Sequence, residues 1–340
     1  MLAIIRKLFH LILTKLIESF KNILMKMNIY LSENLLFDKS RNKVFQIIIN
    51  PEFPASTTMS KTFFEKEVFI QTGDFRSQID ENNYEEVSRI LFLKNIQNQL
   101  GPLDFFDIGA NYGLYSVLLN DQVSLTIVEP NPFIVHCLNQ TFFNRKKCNI
   151  EESALTSVDE DKECVIDIMP RHSGASSLKG EVLQRHKFLH EKFALTVNAI
   201  SLPNLVKKYT TQNQIAIFKI DVEGIEFDIF SSKKAIESIS SNYKNFIIFM
   251  ELIPSMINQS ELDILNSTFG DFFSIVLSNK NLRSDLKHSL NDFNLSNYYK
   301  NISPIKFTSI LDMVKMNEFD YADITIFSDK EILKNIESCL

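Results

Sequence analysis

Phe105-Phe106-Asp107-Ile108-Gly109-Ala110-Asn111-Tyr112-Gly113-Leu114-Tyr115-Ser116 carries an apolar run into an acid, then two glycines four positions apart, then an apolar helical pattern. That order reads as a buried strand, a tight turn and a helix start. Glycine at such a turn accepts φ > 0 and lets a backbone or a ligand come close. The chain has eight glycines in 340 residues, so two within five positions mark a backbone requirement.

Outward from this stretch, strand and helix patterns alternate. Residues 84–100 have helical spacing at Val87, Ile90, Leu91, Leu93, Ile96 and Leu100, and Gly101-Pro102 stops them. A strand at 103–107, the turn and a helix to about 120 follow. A second strand is expected at 124–129. Asn131 and Pro132 then suit the N-cap and first residue of a helix running to about 147. Further strands are expected at 149–155, 215–221 and 246–251, a hairpin-like arm at 165–169, a strand leading into a helix over 196–206, and a helix over 225–239. Near-continuous apolar strands alternating with helices predict a parallel sheet covered on both faces, an α/β fold.

The ends are organised differently. Residues 1–30 place apolar side chains such as Ile5, Leu8, Ile12, Leu16 and Phe20 at helical spacing, with Arg6, Lys7, Lys15, Lys21 and Lys26 against one acid, Glu18. No apolar run reaches the ~20 residues needed to span a bilayer, and no small-residue cleavage site follows. The expectation is a basic amphipathic helix lying on an anionic membrane surface or packed on the body or a partner chain. Residues 31–60 read as a connector and 61–340 as the folded domain, with its core at 85–255. A hairpin arm is expected over 61–72. Residues 279–304, rich in Asn, Ser and Lys, read as a loop-rich, lid-like insertion, and 322–328 as the closing strand.

A net charge of −6 removes weight from nucleic-acid binding, which needs a basic footprint. Cys137, Cys148, Cys164 and Cys339 form no C-x-x-C pair, so neither a zinc site nor a disulfide framework is indicated. Reduced thiols in a cytoplasmic protein are expected. His186 and His190 lack a third ligand, and no metal site is expected.

Open α/β sheets bind ligands beyond the carboxyl ends of their strands. Asp107, Glu129 and Asp221 stand at three such ends. Glu129 can accept hydrogen bonds from both hydroxyls of a ribose, which points to a nucleoside compound. A dinucleotide fingerprint needs three glycines to reach a pyrophosphate, whereas Asn111 stands where the second would be. Asp107 just before the turn would repel a pyrophosphate but can hold the ammonium of a methionine moiety, directly or through water. S-Adenosylmethionine is favoured over NAD.

These residues resemble the motifs of the FkbM-type methyltransferases. Phe106–Gly113 is similar to the family's first motif, and Val128-Glu129-Pro130 to its ribose-binding strand end. Ser153-Ala154-Leu155-Thr156 is similar to the small-residue turn after its third strand, and Gly174-Ala175-Ser176-Ser177-Leu178 to a stretch that follows the arm. Phe218-Lys219-Ile220-Asp221-Val222-Glu223-Gly224-Ile225-Glu226 is close to its K-I-D-V-E-G-x-E signature, and Met250-Glu251-Leu252 resembles the acid ending its fifth strand. The resemblance implies a class I, Rossmann-like methyltransferase fold: a seven-stranded, mostly parallel sheet with an antiparallel last strand and helices on both faces. It also implies methyl transfer from S-adenosylmethionine to a hydroxyl oxygen, with family substrates that include sugars and polyketide-type molecules; a sugar, glycan or other small or lipid-linked acceptor is expected. An alcohol is a poor nucleophile at neutral pH, so a positioned base is expected.

Candidate cofactor residues are Asp107, Gly109, Ala110, Asn111, Gly113, Glu129, Pro130, Ser153, Ala154 and Asp221. Candidate bases are Asp221, Glu223, His172 and Glu251, although the family often has Asn in the stretch holding His172. Glu223 and Glu226 are candidate acceptor-side residues; the alternative for Glu226 is a carboxylate complementing a helix N-terminus. Three rivals remain: a nucleic-acid or protein methyltransferase, an NAD-dependent oxidoreductase, and a non-catalytic, membrane-associated cofactor-binding protein. Asn131-Pro132-Phe133 faintly resembles the Asn-Pro-Pro-aromatic motif of amino-methylating enzymes, but follows the second strand rather than the fourth.

Overall fold

The structure, a computed structural model, describes residues 29–30, 48–49, 58–71, 74, 76, 84–157, 162–169, 173–176, 178, 193–231, 233–254, 257–282, 295–300, 302–316, 318–319 and 321–336. Most of the expected basic helix at 1–30, most of the connector at 31–60, His172, Ser177, His186, His190 and Cys339 lie outside them.

An antiparallel hairpin, β1 (Thr58–Phe63) and β2 (Lys66–Gln71), turns at Phe64 and Glu65, both at positive φ. Helix α1 (Tyr84–Leu100) leads to β3 (Asp104–Ile108), the one-turn α2 (Leu114–Val117), β4 (Ser124–Val128), α3 (Pro132–Thr141) and β5 (Cys148–Glu151). Next come β6 (Ala154–Thr156), β7 (Glu163–Ile168), β8 (Phe193–Ser201) and α4 (Leu202–Tyr209). The second half contains β9 (Ile215–Ile220), α5 (Glu226–Ile229), α6 (Lys233–Asn242) and β10 (Asn245–Leu252). It ends with α7 (Gln259–Phe269), β11 (Phe273–Ser278), β12 (Ile305–Lys306), α8 (Phe307–Lys315), β13 (Ala322–Phe327) and α9 (Lys330–Asn335).

The main sheet has the order β12-β11-β13-β10-β9-β3-β4-β5. Strands β10, β9, β3, β4 and β5 run parallel, and β13 is inserted antiparallel between β10 and β11. That is eight strands where seven were expected; the extra one is the two-residue edge strand β12. A second sheet, β6-β8-β7, sits beside the end of β5.

Both faces of the main sheet are covered because its central strands carry apolar residues on both faces, with Asp104, Asp107 and Lys219 as buried exceptions. Phe105 and Ile217 point into one core with α1, α2, α3 and the β1–β2 hairpin. Their neighbours Phe106 and Phe218 point into the other, with α4, α6, α7 and α8. There the two rings stack at 4.6 Å, and Tyr243 meets both edge-on. The Tyr243 hydroxyl donates to buried Asp104 Oδ2 at 2.7 Å, tying α6 to the start of β3.

Several boundaries differ from expectation. The helix after Pro132 stops at Thr141, well short of 147, and that after Gly113 is one turn. The strand expected over 149–155 breaks at Ser153, so β5 stays in the main sheet and β6 joins the small one. The helix expected over 225–239 is interrupted between α5 and α6. Asn131 does cap α3, its Oδ1 accepting from Phe133 N at 3.1 Å with proline at the first turn. Of the expected insertion at 279–304, residues 283–294 and 301 lie outside the described residues. Its described ends are anchored: Leu295, Tyr298 and Tyr299 are buried, and the hydroxyls of Tyr299 and Ser88 share a 2.8 Å hydrogen bond. Among the described residues, no helix is long and apolar enough to cross a membrane.

Candidate active site

The turn after β3 is shaped by three residues in the left-handed region: Gly109 (φ 68°), Asn111 (φ 50°) and Gly113 (φ 72°). A Cβ on Gly109 would stand 1.8 Å from the Asp221 carbonyl oxygen, and one on Gly113 2.7 Å from Phe142 Cε2. Both glycines are therefore needed for the chain's own packing, before any ligand arrives. The amides of Gly109 and Ala110 donate to Val128 O at 2.9 and 3.1 Å, locking the turn to the end of β4. The Asn111 side chain accepts from Tyr112 N at 3.0 Å and donates to Ser173 Oγ at 2.8 Å. The local bond to Tyr112 N is what makes αL acceptable for a residue other than glycine.

Glu129 follows β4 directly. Its Oε2 accepts from Asn111 N and its Oε1 from Asn131 N, both at 2.9 Å. Burial raises its carboxyl to about 7 against the opposing pull of those two amides.

Opposite stands the end of β9. Lys219 and Asp221 are two apart, hence on one face of the strand. Lys219 is 2% exposed. Its Nζ donates to Gly109 O at 2.8 Å and lies 3.4 Å from both Asp107 Oδ1 and Asp221 Oδ2, with the Tyr115 ring 5.2 Å away. Burial alone would lower Lys219; Asp221 and Asp107 more than offset it, so the ammonium is held above its ordinary value.

Two cavities open on these residues. The larger is lined by Glu129, Pro130, Ser153, Ala154 and Glu223, and by Ile166, Ser173, Gly174 and Leu178 from the arm side. The narrower is lined by Ala110, Tyr112, Leu114, Tyr115, Lys219 and Glu86. Arg76, Gly109, Asn111 and Asp221 line both and mark where they adjoin.

The sequence candidates divide accordingly. Gly109, Ala110, Asn111, Glu129, Pro130, Ser153, Ala154, Asp221 and Glu223 line the paired cavities. Asp107, expected to meet a ligand's ammonium, lines neither: it is fully buried, accepts from Ser116 Oγ at 2.6 Å and faces Lys219. Gly113 packs on Phe142. Glu226, expected on the acceptor side, is instead the brace of its own turn, its two oxygens accepting from Val222 N and Gly224 N at 3.0 Å each. Glu251, expected as a base, lines neither cavity; it sits at the end of β10 opposite Asp323 of β13, where burial first and Asp221 next raise it to about 8. Glu223, at φ 55°, is raised well above the carboxylate range by burial, then by Asp221, Glu251 and Glu226. Among the described residues, no group of three or more His, Cys, Asp or Glu is arranged to hold a metal ion.

Sequence reasoning missed Arg76, Asp74 and Ser173, and quoted Lys219 without a role. For Lys219 a signal existed: a lysine inside Ile215–Ile220, an otherwise apolar strand, needs a buried partner, and Asp221 two residues on supplies one. Arg76 and Asp74 arrive from a polar stretch with no periodicity and are brought in only by tertiary contact.

The methyltransferase FkbM domain matches residues 107–281. No curated protein sequence matches the chain. Among solved structures, precorrin-6Y C5,15-methyltransferase from Geobacter metallireducens GS-15 is similar at 10% identity, covering 75% of this chain and 96% of that one, with a TM-score of 0.35. The N-methyltransferase NodS from Bradyrhizobium japonicum WM9 is similar at 8% identity over 73% and 98%, TM-score 0.35. Human methyltransferase-like protein 13, in complex with SAH, is similar at 9% identity over 75% and 88%, TM-score 0.35.

Proposed function

Because the chain belongs to the FkbM methyltransferase family and takes S-adenosylmethionine as its donor, we propose that it methylates a hydroxyl oxygen on a sugar, glycan or other small or lipid-linked acceptor. The chain's own residues fit the donor. Gly109, Asn111 and Asp221 line both cavities, so the turn after β3 borders the space a donor would fill. Glu129 uses one acceptor site on each oxygen for Asn111 and Asn131 and keeps further lone pairs for two ribose hydroxyls. When bound, S-adenosylmethionine supplies a methyl group activated by sulfonium.

The observation that carries the oxygen reading is Glu223. It lines the larger cavity beside Asp221, and its carboxyl is held above the ordinary range. A base that titrates nearer the working pH is what a hydroxyl nucleophile requires. In this reading Glu223 receives the hydroxyl proton, and Asp221, tethered by Lys219, helps set its pKa. A net charge of −6 disfavours a nucleic-acid acceptor.

The test is transfer of an isotope-labelled methyl group from S-adenosylmethionine into fractionated hydroxylated acceptors. The expected product carries the label as an alkali-stable methyl ether, identified by its methyl carbon resonance. Label found on nitrogen, on a carboxyl as an alkali-labile ester, or on nucleic acid would sink the oxygen reading.

A further inference from the structure

We propose that Arg76 is the residue that binds the donor's carboxylate, with Asp74 as its positioning residue, so that the chain selects a nucleoside bearing an intact amino acid end. The inference rests on the S-adenosylmethionine reading and deepens it. Arg76 lies outside residues 107–281, so the motifs that identify the family say nothing of it.

Its position is what assigns the role. Glu129, the ribose partner, lines the larger cavity, whereas Arg76 stands where that cavity meets the narrower one. A chain leaving the ribose toward the narrower cavity passes Arg76 at the junction. The charged groups lining that cavity are Arg76 and Lys219, Glu86 and Asp221: two cations and two anions, the complement of a zwitterion. Lys219 is already committed to Gly109 O, Asp107 and Asp221. Arg76 is the more accessible cation, its side chain 24% exposed and 3.6 Å from Glu86. A guanidinium presents a planar fork that meets a carboxylate through two hydrogen bonds, which a lysine cannot do.

The fork is also held in place. Asp74, 1% exposed, accepts from Arg76 N at 3.0 Å and from Ser173 N at 3.2 Å through Oδ1, and from the Tyr112 hydroxyl at 2.6 Å through Oδ2. One carboxylate thus joins the segment carrying Arg76 to the glycine turn and to the 173–176 turn. The Arg76 side chain lies against Gly174, where a Cβ would stand 2.6 Å from Nε. Binding therefore requires little ordering of the arginine.

Calorimetric titration of the full chain with three thioethers tests this: S-adenosylhomocysteine, its decarboxylated analogue with a propylamine tail, and 5′-methylthioadenosine. Arg76→Gln is expected to weaken S-adenosylhomocysteine binding by about 10- to 100-fold. It should leave the two ligands without a carboxylate within about twofold of the wild type. Arg76→Lys, which keeps the charge but not the fork, should fall between, and it carries the test if the glutamine variant does not fold. Asp74→Asn should weaken S-adenosylhomocysteine more than methylthioadenosine. Equal losses for all three ligands, or no loss for the homocysteine compound, would overturn the assignment. Failure of the wild type to bind any of the three would instead count against the donor reading.

Discussion

Lys219→Met is expected to destabilise the protein by about 3–5 kcal/mol, the range for removing one partner of a buried charge cluster. Lys219 is the cation between Asp107 and Asp221, and it also hydrogen-bonds Gly109 O. Methionine fills similar space but leaves Asp107, fully buried, with only Ser116 as a partner. Asp107 is already raised, by burial first, with Lys219 opposing; without the ammonium it rises further. A carboxyl raised in the folded state contributes stability that is present below its unfolded pKa and lost as pH rises through the folded one. The deficit should therefore be smaller at about pH 5 than at about pH 8. Urea unfolding midpoints of wild type and variant at the two pH values check both parts. A deficit under about 1 kcal/mol, or one that grows as pH falls, would remove Lys219 from this role.

Glu223→Gln is expected to lower kcat by about 10²- to 10⁴-fold, the range for loss of a general base, while S-adenosylhomocysteine affinity changes little. The variant is close to isosteric, so the positive-φ turn at Glu223 and Gly224 keeps its shape. The wild type should also show a rising pH limb in kcat, because the base must be ionised. Its midpoint should lie above the ordinary carboxylate range, since burial, Asp221, Glu251 and Glu226 all raise Glu223. The glutamine variant should lose that limb. Steady-state rates with a fixed hydroxyl acceptor across the pH range decide it. An unchanged kcat would shift the base to Asp221, the other cavity-lining acid among the candidates.

How much of this was legible in the chain depends on the range of the contact. The turn after Ile108, the alternation of strand and helix, and the Asn131-Pro132 cap are local and could be read directly. The strand-end acids were visible as a set, but not which way each faces. Asp107 looked like a ligand contact, yet it lies beneath the turn because Lys219 on the neighbouring strand claims it. Glu226 looked like an acceptor contact, yet its two oxygens hold the Val222 and Gly224 amides, a choice made by the turn's conformation. Element ends moved where tertiary packing overrode propensity, as at Ser153, where the chain leaves the main sheet for a small one. Asp74 and Arg76 carry no pattern at all; Arg76 lines the cavities beside Asp74, which accepts hydrogen bonds from Tyr112 and Ser173, far away in sequence.

In the proposed function, Glu129 and the turn at 109–113 hold the nucleoside of the methyl donor. Calorimetric titration of the full chain with S-adenosylhomocysteine tests it most directly. One molecule should bind per chain, and Glu129→Ala should lower the affinity by about 10- to 100-fold, the loss expected when hydrogen bonds to a charged group are removed. A folded wild-type protein that gives neither binding heat nor a shift in melting temperature would contradict it, as would a Glu129→Ala variant that binds as tightly as the wild type.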